Sequence, residues 1–172
     1  MKKINDLRKA YFFFKRGRGQ VDACVDWAIE RLQNNEEGDD TDIKLLAGST
    51  HENEVKQLVP KILARYLEHS MSEEYLSGKF IVDLHQRYRA NEISIIELEP
   101  ILWRLFYDLS LPGWLVMLCR NCEYATDVHP FVKPFEDEFD YIAGLWKNAS
   151  SFSDFMDKYD RTVSNRHDIE AQ

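Results

Sequence analysis

The chain has 172 residues with 44% hydrophobic, 30% charged and 13% aromatic side chains. That composition excludes a disordered chain and is enough to bury a sizeable core as one domain. The net charge of −8 is unevenly spread: residues 1–19 hold seven Lys/Arg against Asp6 alone. That leaves 15 basic and 29 acidic side chains, or −14, for residues 20–172. An acidic body repels phosphate backbones and attracts basic surfaces, so direct nucleic-acid binding is disfavoured and a basic protein partner favoured.

The odd count of three cysteines, Cys24, Cys119 and Cys122, together with the lack of a secretory signal, points to a reducing, cytoplasmic setting. The Ile93–Cys119 stretch is long enough to suggest a membrane span. Glu97, Glu99, Arg104 and Asp108 interrupt it, and Pro112-Gly113 divides it, so no membrane association is expected.

In chain order, Ile4–Phe14 reads as a short helix with Leu7, Ala10, Tyr11 and Phe14 on one face, ended by the basic run Lys15 to Gly19. Gln20–Gln33 is a helix carrying Val21, Cys24, Val25, Ala28 and Leu32; Trp27 lies off that stripe, either in the core or as an exposed anchor. Asn34 to Asp42 is an acidic turn. It is not a calcium loop, because setting Gly38 at the sixth position puts Gln33 at the first and Ile43 and Lys44 at the last two. Its Glu36, Glu37, Asp39 and Asp40 are candidates for a partner-facing patch.

Ile43–Ala47 is a short segment closed by Gly48. Ser49 with Glu52 has the spacing of a capping box, opening a helix that carries Val55, Leu58, Val59, Ile62, Leu63, Tyr66 and Leu67. Pro60 within it predicts a kink or a change of helix. Ser72–Ala90 is a further helix with Leu76, Phe80, Leu84 and Tyr88 on one side.

Ser94 and Glu97 form a second capping box that starts the most apolar helix. Its stripe is Leu98, Ile101, Leu102, Leu105, Phe106 and Leu109, with Trp103 and Tyr107 on the opposite face. A helix apolar on two sides is sandwiched, or offers one side to a partner. After a turn at Leu111-Pro112-Gly113, Trp114–Asn121 returns as a helix. Pro134 at a first helical position opens another helix to about Asn148, with Phe135, Phe139, Ile142 and Trp146 inward and Glu136, Asp137 and Asp140 clustered elsewhere. One short helix follows from Ser153, and residues 161–172 should form a frayed polar tail. The expected architecture is an all-α, single-domain irregular bundle of seven to nine helices over residues 1–172, around a central apolar helix, with a basic N-terminal helix in 1–19.

Motifs of chemistry are missing. Gly17 and Gly19 lack a third glycine, and Gly78-Lys79 has Glu73 where a phosphate loop needs glycine. No nucleophile elbow occurs, and His51-Glu52 is not followed by a second histidine. No histidine has a Glu three residues before it, as di-iron bundles require. Cys119-x-x-Cys122 is the one redox or metal spacing, and small buried apolar positions explain it as well. No cofactor, metal or catalytic residue is expected.

The run Asp26-Trp27-Ala28 with Leu32, the acidic turn, Asp42-Ile43 and Leu46-Ala47-Gly48 resembles the first half of helical bacterial immunity proteins of polymorphic-toxin and contact-dependent growth-inhibition systems. Tyr88-Arg89-Ala90-Asn91-Glu92-Ile93, Trp103 and Leu111-Pro112 are similar to the second half, so the likeness covers residues 20–125 in outline. The resemblance implies a non-enzymatic protein that neutralises a cognate toxin C-terminal domain. Surface reasoning, not the resemblance, places the interface on Glu36, Glu37, Asp39 and Asp40, on Glu136, Asp137 and Asp140, and on Trp27, Trp103 and Tyr107. The alternative is a non-enzymatic cytosolic helical adaptor or regulator. The oligomeric state is left open by the sequence.

Overall fold

A computed structural model describes residues 3–17, 21–36, 40–65 and 72–170, with backbone alone at 129 and 163–170. Among the described residues the protein is all-α. The helices are α1 (Ile4–Lys15), α2 (Val21–Gln33), α3 (Thr41–Ala47), α4 (Glu52–Ala64), α5 (Glu73–Arg89), α6 (Ile95–Asp108), α7 (Gly113–Asp127), α8 (Val132–Lys147) and α9 (Phe152–Glu170), with a 3-10 turn at His129–Phe131 before α8. No helix among them is long and apolar enough to cross a membrane.

Length and composition argued for one domain around one helix; the contacts gather the chain into two compact units, Met1–Met71 and Ser72–Gln172. The reason is that the stripes of α1 to α4 close on each other. Leu7, Phe14, Cys24, Trp27, Ala28, Ile43, Leu46, Val55, Val59 and Ile62 form one buried cluster. The apolar helix α6 therefore organises the second unit, where it packs on α7, α7 on α8, and α8 on both α5 and α9.

In the first unit, Trp27 is buried and its indole Nε1 donates to the Lys3 carbonyl at 2.9 Å, holding the start of α1 against α2. Asp40 caps α3, accepting from the backbone N–H of Asp42 and Ile43 at 3.0 and 3.2 Å. The expected capping box at Ser49 does not form. Ser49 Oγ donates back to the Leu45 carbonyl at 3.0 Å, and α4 starts after His51.

Pro60 lies inside α4, which nevertheless runs unbroken from Glu52 to Ala64. A proline there removes the donor for the carbonyl four residues back, that of Lys56. The Tyr11 hydroxyl of α1 donates to that carbonyl at 3.3 Å and so meets the orphaned acceptor from outside the helix.

In the second unit, α6 starts as the sequence predicts. Glu97 N–H donates to Ser94 Oγ, and Glu97 Oε2 accepts from Ser94 N–H at 2.8 Å. The core carries a stack of rings among leucines and isoleucines. Trp146 stacks on Phe155 at 3.8 Å between centroids and meets Trp114 edge-on at 5.3 Å. Gly78 of α5 lies directly against the Trp146 ring, where a Cβ would overlap its atoms, so only glycine fits. Lys79 Nζ donates to the Trp146 and Ala149 carbonyls at 2.6 and 2.9 Å, placing a cation at the negative end of α8.

Two boundaries differ from the sequence reading. Helix α8 begins at Val132 rather than at Pro134, continuing directly from the 3-10 turn. Helix α9 extends to Glu170 where a frayed tail was expected from residue 161.

Candidate functional site

The outer face of α6 is the surface that stands apart. Its inward positions Leu98, Leu102, Leu105 and Phe106 are buried. On the other side, Ile96 is 72% exposed and Tyr107 65%, with Pro100 exposed and Trp103 half-buried between them. The spacing 96, 100, 103, 107 keeps all four on one helical stripe. Trp103 and Tyr107 stack at 6.0 Å with 27° between their planes, so the outermost ring is held by the one beneath it.

The turn after α6 carries one more exposed apolar side chain, Leu111. Ser110 and Leu111 have φ of 60° and 65°, two consecutive non-glycine residues in the left-handed region. This conformation costs roughly 1–2 kcal/mol per residue, and Leu111 is 56% exposed, so its side chain is not repaid by burial.

One flank of the stripe carries exposed Glu97, Arg104 and Asp108. Glu97 sits below the usual carboxylate range because the Ser94 backbone N–H and hydroxyl bond it. The other flank carries Glu99, whose carboxylate accepts from Thr126 Oγ1 of α7 at 3.0 Å.

The acidic residues proposed for partner binding fare differently. Glu37 and Asp39 lie outside the described residues. Glu36 pairs with Arg31 at 3.2 Å, and Asp40, already a helix cap, with Arg65 at 3.3 Å. Asp140 is gripped by Arg89 Nη2 at 2.5 Å and His85 Nε2 at 2.6 Å. The Arg89 bond lowers its pKa, so Asp140 is an ionised acceptor and His85 Nε2 is the donor. Glu136 accepts from the Tyr88 hydroxyl at 3.0 Å, and Asp137 pairs with Lys133. Burial, then the bond to Glu136, pushes the Tyr88 phenol up to about 12.

The expected like-charge cluster on α8 is thus a mixed ion-pair lattice between α5 and α8. Beside it runs an open groove of about 310 Å³ lined by His85, Arg89, Asp140 and Lys147. In the first unit, Leu45, Ser49, Glu54 and Leu58 line a groove of about 410 Å³ between α3 and α4.

Trp27, named as a possible anchor, is only 1% exposed, because its indole spans the first core. Trp103 and Tyr107 do come together at the surface. Ile96 and Leu111 were missed, although Ile96 precedes Trp103 by seven residues and Tyr107 by eleven, which the helical period reveals. Cys24, Cys119 and Cys122 are all fully buried, and burial pushes each thiol up to about 12, far from the range of a reactive thiolate. Among the described residues no three His, Cys, Asp or Glu side chains converge as a metal site would require.

No family model matches the chain, and neither the curated proteins nor the solved structures contain a match to it.

Proposed function

We propose that this chain is a non-enzymatic immunity protein that binds a cognate, basic toxin domain, of the nuclease kind, and neutralises it in the cytoplasm of the producing cell. The observation that carries the reading is the outer face of α6: a stacked Trp103–Tyr107 pair, flanked by Ile96 and Leu111, left open to solvent. Aromatic anchors of this kind dominate binding energy at protein interfaces. The charge of −14 over residues 20–172 supports the choice of partner, because it speeds encounter with a cationic surface and disfavours a polyanion. The resemblance over residues 20–125 supplies the biological setting.

On this reading the toxin domain seats an apolar patch on the α6 stripe. Its lysines or arginines face Glu97 and Asp108. The acids of α8 and of the first unit contribute long-range attraction.

The test is co-expression with the C-terminal domain of the protein encoded immediately upstream, scored by host survival and by binding of the purified pair. Rescue with tight binding is expected, and Tyr107→Ala should weaken that binding at least about 10-fold. A toxic domain that is expressed but neither bound nor countered would sink the pairing and leave the adaptor reading.

A further inference from the structure

We infer that the turn after α6 is held strained so as to present Leu111 as a preformed anchor, an apolar knob that enters a basic-rimmed pocket of the toxin domain; this rests on the immunity reading above.

Among the described helices, four end on a residue in the left-handed region, and three of them use the residue types that tolerate it. Gly17 closes α1, Asn35 closes α2 and Asn91 closes α5, with φ of 68°, 54° and 57°. At α2 and α5 the same pair of bonds ties the end. The N–H groups of Asn35 and Asn91 donate to the Leu32 and Tyr88 carbonyls, and those of Glu36 and Glu92 to the Arg31 and Arg87 carbonyls, all between 2.9 and 3.1 Å. Helix α6 ends on this same frame, with Ser110 N–H on the Tyr107 carbonyl at 3.0 Å and Leu111 N–H on that of Phe106 at 2.9 Å. Yet it places serine where the others place glycine or asparagine. It alone among the described helix ends then adds a second left-handed residue, a leucine.

Two further features oppose a leucine there. Pro112 follows, and a proline pushes the residue before it towards an extended φ of about −120°, far from the 65° observed. Leu111 is also 56% exposed, so burial within the fold offsets little of the strain. Glycine or asparagine would make the same turn, with the same bonds, under less strain. A local choice that opposes the fold and is not compensated within it marks a residue kept for a contact outside it.

Because the turn is tied by two backbone bonds before any partner arrives, little ordering opposes the docking of its leucine. The counterpart of such a knob is a concave apolar pocket. Its rim is basic, because exposed Asp108 stands three residues before Leu111 and residues 20–172 carry −14. The knob also selects: a pocket narrowed by a larger side chain shuts the leucine out, and with it the non-cognate domain.

The test compares three full-length variants in two measurements, thermal unfolding of the chain alone and binding to the purified C-terminal domain of the protein encoded immediately upstream. Leu111→Gly should raise the unfolding midpoint by about 2 °C by releasing the backbone, and weaken binding about 10-fold by removing the side chain. Ser110→Gly should give a similar rise with binding unchanged, since Leu111 stays in place. Leu111→Ala keeps the strain and loses the side chain, so its midpoint should match the parent's while binding falls as in Leu111→Gly.

A lower midpoint for Leu111→Gly or Leu111→Ala would mean that the leucine serves the packing of the turn, and overturns the inference. Binding that is unchanged in both Leu111 variants overturns it equally, while leaving the immunity reading in place. A domain that the parent chain does not bind removes that reading, and the anchor falls with it.

Discussion

The two units bury their interiors in different ways. The first closes four helices around mostly aliphatic side chains, with Trp27 as its one indole and Ile43, Leu46, Val59 and Ile62 fully buried beside it. The second sets rings against one another among its leucines and isoleucines: Phe80, Trp114, Phe135, Phe139, Trp146 and Phe155 are all at or below 2% exposure, and Trp146 is stacked on Phe155 and meets Trp114 edge-on. Aliphatic side chains change rotamer and refill small gaps, while flat stacked rings transmit any misfit to their neighbours. The second core should therefore be the less forgiving. Its need for glycine at position 78, where α5 lies on the face of Trp146, shows this directly.

Substitutions can break that contrast. The largest effect is expected for Trp146→Ala, which removes the centre of the stack and should cost about 4 kcal/mol in denaturant unfolding. Gly78→Ala adds a single carbon yet forces it into the Trp146 ring, with about 2–3 kcal/mol expected. Ile62→Val removes a single carbon from the first core and should cost about 1 kcal/mol. Measured losses for these two that come out equal, or reversed, would end the distinction between a rigid and an adaptable core.

The smallest effect is electrostatic. Asp154 is held at about 2, chiefly by the Ser150 backbone N–H and then by Lys158. A carboxylate with a depressed folded-state value stabilises the fold above the unfolded value of about 3.9 and loses that contribution as the pH falls towards 2. Asp154→Asn should therefore be slightly less stable than the parent at pH 6 and indistinguishable from it near pH 2. A gap that persists at pH 2 would mean that packing, not charge, is what the aspartate supplies.

Much of the helical architecture was legible because it is local. Periodicity located the helices of both units, and the Ser94 and Glu97 box marked the start of α6 within one turn. The misreadings share a cause in competing side-chain partners, some close in sequence and some distant. Ser49 looked like a cap, but its hydroxyl was taken by the preceding helix. Glu36, Asp40, Glu136 and Asp140 looked free, but Arg31 reaches Glu36 from five residues away, and Arg65, Arg89 and Tyr88 reach the others from distant positions in the chain. No sequence spacing relates Arg89 to Asp140, so neutralisation of that patch could not be read in advance. Trp103 and Tyr107 were legible because a stacked surface pair four residues apart needs only the helix that carries it.

The hydroxyl of Tyr11 and the ring of Pro60 form a pair of a different kind. With any other residue at position 60, the helix would supply its own N–H to the Lys56 carbonyl, and the phenol of residue 11 would be a second donor to an acceptor already met. Positions 11 and 60 should consequently change together over evolutionary time: tyrosine beside proline, and phenylalanine tolerated wherever the proline has gone. A set of descendants in which tyrosine persists regardless of residue 60 would show that its hydroxyl is kept for some other task.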